Sequence, residues 1–124
     1  MPRSQLLYLN DISEAAGNIR SYVGDLTFGK FKNDRMRIDA VVRNFEVIGE
    51  AVKNLSDDLK TQFPATDWKA VAGFRDTLIH GYFGIDLEIL WEIIVHKIPV
   101  LQKEIAAVPE RAGKTLPYTI KMPL

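Results

Sequence analysis

The chain has 124 residues, 47% of them hydrophobic, which suits one domain with a usable core. Sixteen basic residues balance sixteen acidic ones, so it is no polycation that coats nucleic acid through bulk charge, and the absence of cysteine excludes disulfides, thiol catalysis and thiolate metal sites. No apolar run approaches the roughly 18 residues of a membrane span and the amino terminus lacks a secretory core, so a soluble, cytoplasmic protein is expected.

Between about Ser4 and Val23, the residues Leu6, Leu7, Ile12, Ala15, Ala16, Ile19, Tyr22 and Val23 recur at three- and four-residue gaps, which predicts a first amphipathic helix stopped at Gly24. Asp25 to Lys32 reads as a loop. Asn33 or Asp34 then caps a second helix with Ile38, Val41, Val42, Phe45, Ile48, Val52 and Leu55 as its buried stripe. Gly49 inside that helix costs about 1 kcal/mol relative to alanine, which points to a close helix-helix contact. Ser56 to Ala65 is polar, and Thr66 or Asp67 is placed to cap a third helix from Trp68 to about Tyr82. After Gly81 and Gly84, Asp86 begins a fourth helix with Leu87, Leu90, Trp91, Ile94, Val95, Ile98, Leu101 and Ile105 on one face, kinked or divided at Pro99. The expected architecture is an all-α antiparallel bundle of four main helices over residues 1–108. Residues 109–124, with Arg111, Lys114, Lys121 and several prolines, form an extended tail.

The stretch from Phe74 to Tyr82 concentrates the chemistry. Trp68, Val71, Ala72, Arg75, Leu78, Ile79 and Tyr82 share one broad helical face, so Arg75 places a permanent charge where the pattern asks for an apolar side chain. Such a charge needs a partner, and an anionic ligand is one candidate. Asp76 and His80 stand four positions apart, where a carboxylate can orient an imidazole. By ideal geometry His80 lies about 140° around the axis from Arg75, so the two share a site only through a long reach or a second subunit. Together these groups fit metal-independent RNA cleavage: histidine moves the proton of a ribose 2′-hydroxyl or of the departing 5′-oxygen, and arginine holds the phosphate. The same spacing also suits a structural ion pair with a dipole-compensating histidine, and Tyr82 also reads as a core aromatic. With two histidines and no paired ligand pattern, no metal and no cofactor are expected. His96 reads as structural or solvent-facing. Arg20, Lys30, Lys32, Arg35, Arg37 and Arg43 interleave with Asp25, Asp34 and Asp39, which describes a solvated face, with guidance of an RNA backbone as the alternative.

Arg75-Asp76-Thr77-Leu78-Ile79-His80-Gly81-Tyr82 resembles the Arg-x4-His-x-Tyr signature of the HepT-like proteins of the HEPN superfamily. Val42-Arg43-Asn44-Phe45-Glu46-Val47-Ile48-Gly49-Glu50-Ala51 resembles that family's second-helix segment. Phe63-Pro64 with Trp68, and Ile85-Asp86-Leu87-Glu88 followed by Trp91, stand in the matching order, so the likeness runs over roughly residues 5 to 105. The resemblance implies the toxin half of a type VII toxin-antitoxin pair, a helical homodimer whose two motifs face one another in a shared cleft and cleave RNA without a metal. It assigns phosphate stabilisation to Arg75, proton transfer to His80 and a supporting polar position, where many members carry asparagine, to Asp76. It further implies neutralisation by a minimal nucleotidyltransferase antitoxin that transfers AMP to Tyr82. A non-catalytic dimeric module that binds a nucleotide or a protein is the alternative function.

Overall fold

The computed structural model describes residues 4–81 and 86–107, with backbone alone for 79–81. In chain order, α1 spans Gln5–Val23, α2 Phe28–Phe31, α3 Arg35–Lys53, α4 Asp57–Thr61, α5 Trp68–Gly81 and α6 Leu87–Glu92. A π-helical turn at Ile93–Lys97 then leads into α7 at Ile98–Ala106. The fold is all-α, as expected, and no strand occurs among the described residues. The segment 109–124, expected to be an extended tail, lies outside the described residues.

Side-chain caps set most of the helix starts. Ser4, Thr27, Asp34, Ser56 and Asp86 each accept a hydrogen bond from a backbone N–H of the first turn, and Asp67 Oδ1 accepts from Ala70 N at 3.0 Å. Each satisfies a donor that the helix itself leaves open. Asp34 and Asp67, rather than Asn33 and Thr66, are therefore the caps of α3 and α5. Gly24 ends α1 at φ 51°, where its N–H reaches the Arg20 carbonyl, a backbone state in which a side chain is disfavoured.

Two short helices stand where no helix is expected, α2 in the segment read as a loop and α4 in the polar stretch from Ser56 to Ala65. In α2 the reward is packing: Phe31 is fully buried, and its ring and that of Phe28 lie 5.2 and 5.9 Å from the Trp91 ring. The α4 turn brings the Lys60 and Phe63 carbonyls within 3.1 and 3.2 Å of the Trp68 indole nitrogen, which donates to both. Pro99 divides the fourth helix, as the sequence predicts. It has no N–H to give Val95, and the ladder before it widens so that Ile98 N–H reaches the Ile93 carbonyl.

The core is continuous. Leu9, Ile12, Ala15, Ala16, Ile19 and Val23 of α1 meet Ile38, Val41, Val42, Phe45, Ile48 and Val52 of α3, with Leu90, Ile94, Ile98, Leu101 and Ile105 closing the far side. Leu6 and Tyr22 pack at the margin, whereas Leu9, absent from the expected stripe, is buried. Gln5 Nε2 reaches the Asn54 carbonyl at one end of the α1/α3 pair, Asn18 meets Asn44 in the middle and Arg37 Nη1 donates to the Tyr22 carbonyl at the other, so the two helices run antiparallel. Helix α3 is central, with α1 on one side and α5 on another.

Candidate active site

The site is built where α5 crosses α3. At the crossing stands Gly49, where a Cβ would lie 2.6 Å from Arg75 Cγ and closer still to its Cβ. The missing side chain is what lets the arginine stem lie against α3, and the close contact predicted for Gly49 is thus the seat of Arg75. Around it, Phe45 of α3 meets Phe74 of α5 edge to face at 5.3 Å, and Trp68 and Leu78 are buried. Among the described residues the apolar stripe of α5 faces the core through Trp68, Val71, Ala72 and Leu78, and Arg75 interrupts it with a side chain 25% exposed; the Ile79 side chain and Tyr82 lie outside the described residues.

The compensation for that charge comes from the protein. Arg75 Nη2 lies 3.0 Å from Glu50 Oε2 of α3, and Arg75 Nη1 lies 3.3 Å from Asp76 Oδ1. The same Asp76 oxygen accepts from Lys53 Nζ at 2.7 Å. Two cations and two carboxylates thus alternate across the α3/α5 crossing. The Lys53 hydrogen bond, reinforced by Arg75 and opposed by partial burial, holds the Asp76 carboxyl below the usual carboxylate range. Arg75 Nε is buried with no hydrogen-bond partner among the described residues. An open cleft of about 230 Å³ adjoins the guanidinium, lined by Tyr8, Asp11, Arg43, Glu46, Glu50 and Arg75 among others.

Of the site residues expected from sequence, Arg75 and Asp76 of α5 are brought together against α3. His80 lies in the last turn of α5, with its side chain outside the described residues, and Tyr82 lies outside them altogether. Glu50 and Lys53 were missed by sequence reasoning, as was the cleft wall of Tyr8, Asp11 and Glu46; Arg43 of that wall was named only within the basic region. A signal existed for Glu50: an arginine on an apolar face demands a facing carboxylate, and Gly49 marks the turn of α3 that comes nearest. Three cations of the basic region pair locally, Arg35 with Asp39 at 3.3 Å, Arg37 with Asp34 at 2.9 Å and Arg43 with Glu46 at 3.6 Å, while Arg20 reaches Gln102 of α7 at 3.2 Å. His96 is exposed and sits 3.3 Å from Glu92.

The model of the family described as ribonuclease HepT-like matches residues 12–108, which include α3, the crossing and Arg75 to His80. The chain belongs to the HepT-like family. Among curated relatives, "Putative RNase MJ0127" of Methanocaldococcus jannaschii is 45% identical over 106 residues, covering 85% of this chain and 88% of that protein. "Probable ribonuclease HepT" of Thermococcus cleftensis is 41% identical over 102 residues, covering 82% and 93%. "Gamma-glutamylcyclotransferase and putative RNase MJ0434" of M. jannaschii is 39% identical over 114 residues, which are 92% of this chain and 51% of that longer protein. No solved structure matches the chain. Among the described residues, no helix is long and apolar enough to cross a membrane, and no group of three or more His, Asp or Glu side chains is placed to hold a metal ion.

Proposed function

We propose that this HepT-like protein is an endoribonuclease that works without a metal, the toxin of a type VII toxin-antitoxin pair. The observation that carries the reading is the Arg75 guanidinium, held at the mouth of a cleft and in Arg-x4-His register with His80 on the same helix. In this reaction the ribose 2′-oxygen attacks the adjacent phosphorus and the bond to the 5′-oxygen breaks, leaving a cyclic phosphate and a free 5′-hydroxyl. His80 moves the proton and Arg75 takes up the charge that grows on the phosphate oxygens. Because the nucleophile is the 2′-hydroxyl, DNA is not a substrate. Asp76, balanced by Lys53, sets the far side of the Arg75 fork. Two protomers bring their motifs into one cleft, and the antitoxin partner silences it by moving AMP onto Tyr82, whose added phosphate competes for Arg75.

The test is incubation of the pure protein with RNA and with DNA in the presence of EDTA. RNA should be cut and DNA spared, and Arg75→Ala and His80→Ala should each lose about 100-fold or more in rate. Cleavage that survives His80→Ala, or that EDTA abolishes, overturns the mechanism. One observation favours the alternative of a non-catalytic nucleotide- or protein-binding module: Arg75 is already paired with two carboxylates, as in a structural ion-pair network. Tight binding of a nucleotide or partner with RNA left intact would decide for it. Coexpression with the nucleotidyltransferase, followed by mass spectrometry, tests the modification: one adenylyl group on Tyr82 is expected, and an unmodified tyrosine rejects it.

A further inference from the structure

The two carboxylates on Arg75 are not equivalent. Asp76 Oδ1 is fixed from both sides, by Lys53 Nζ at 2.7 Å and Arg75 Nη1 at 3.3 Å. Glu50 reaches Arg75 with one oxygen, at 3.0 Å from Nη2, from a side chain that is 59% exposed on the cleft wall. That contact fills half of the fork formed by Nε–H and Nη2–H, and the Nε half has no acceptor among the described residues. A carboxylate or phosphodiester that offers two oxygens would satisfy both donors, the geometry arginine recognises best.

We propose that Glu50 is a displaceable stand-in for the substrate phosphate: a positioning residue that holds the Arg75 fork in place until an RNA phosphodiester exchanges with it. The identity of the arriving anion rests on the ribonuclease reading, whereas the exchange itself rests on the geometry of Glu50 and Arg75. With Glu50 in place the cleft presents Asp11, Glu46 and Glu50 against Arg43 and Arg75, an unwelcoming field for an anion. Exchange moves Glu50 fully into water, where more than half of it already lies, and gives Arg75 Nε its missing acceptor. Asp76, anchored by Lys53, stays and keeps the guanidinium plane from following the departing glutamate.

The experiment measures binding of a fluorescent single-stranded RNA to the full chain carrying His80→Ala, so that nothing is cut during the titration. Adding Glu50→Gln should tighten binding about five-fold at ~0.1 M salt, the scale of one partly exposed charge pair. Glu50→Asp, which keeps the charge but shortens its reach, should fall between the two. In an Arg75→Ala background, Glu50→Gln should add nothing, because the exchange requires both partners. In the cleavage-competent chain, Glu50→Gln should lower KM by a larger factor than it changes kcat. Equal or weaker binding by both Glu50 variants in folded protein overturns the proposal, and so does a gain that persists without Arg75. Should Glu50→Gln fail to fold, Glu50→Asp carries the comparison. RNA that binds through Arg75 and tightens on Glu50 substitution, yet is never cleaved by the parent chain, would reject the nuclease and leave the exchange standing.

Discussion

At Asp76 the effect of a residue depends on its neighbour across the crossing. Beside an RNA phosphate an extra negative charge is a handicap, but Lys53 at 2.7 Å and Arg75 at 3.3 Å both draw on the same oxygen, so the local sum is closer to neutral than the motif implies. Because the Lys53 hydrogen bond holds the carboxyl below its ordinary range, the folded chain binds fewer protons there than the unfolded chain does. The stabilisation is therefore complete above the unfolded value of about 4 and is lost as the pH falls through the lower folded value. Asp76→Asn removes it. Urea melts across a pH series should find the variant less stable than the parent at neutral pH, with the gap closing in acid. A gap of constant size would mean that the carboxylate charge is not what Lys53 engages. The sequence made Arg75 and Asp76 legible because one breaks an apolar stripe and the other adjoins it. Glu50 was legible only through the demand of Arg75 for a carboxylate near Gly49, and Lys53 was not, since ion pairing between helices leaves no periodic trace.

The α3/α5 crossing turns on one missing side chain. Gly17 and Gly73 also sit inside helices, α1 and α5, but a Cβ at either meets nothing within 4 Å. Alanine at those two positions should stabilise the fold by about 0.5–1 kcal/mol each, the usual gain from removing backbone freedom in a helix. Gly49→Ala gains the same propensity yet drives a methyl into Arg75, and overpacking costs about 1–3 kcal/mol or more. Thermal melts of the three variants should therefore split in sign, with Gly49→Ala below the parent and the others above it. A raised melting temperature for Gly49→Ala would show that the helices separate freely there. The long helices were legible in advance because α1 and α3 each repeat their apolar positions over 19 residues, while α2 and α4, at four and five residues, are too short to show a period. Their existence depends on Trp91 and Trp68, contacts made at the level of the fold. Pro99 announced a break, but the form it takes, a π turn ending in the Ile98 to Ile93 hydrogen bond, also reflects the demand that Leu90, Ile94 and Ile98 all stay buried.

For the molecule as a whole, the question is how many chains one cleft needs. Arg75 and His80 are both in α5, and ideal helix geometry sets them about 140° apart around its axis. Arg75 is committed to the α3 side through Gly49, Glu50 and the Asp76–Lys53 pair, so its freedom to turn toward His80 of the same chain is small. A cleft that joins two copies removes the conflict, since each chain then contributes from the face it already presents. Complementation tests this directly. Arg75→Ala and His80→Ala chains, each nearly inactive alone, are unfolded together, refolded as a mixture and compared with each refolded separately. If two chains share the cleft, mixed dimers keep one intact arginine and one intact histidine in it, and cleavage should reappear in the mixture at a fraction of the parent rate. If each protomer holds a complete site, every site in the mixture lacks one group, and mixing restores nothing. Light scattering on the parent chain supplies the accompanying requirement, a mass of two chains at the assay concentration, and a monomer that cleaves RNA at full rate would refute the shared cleft outright.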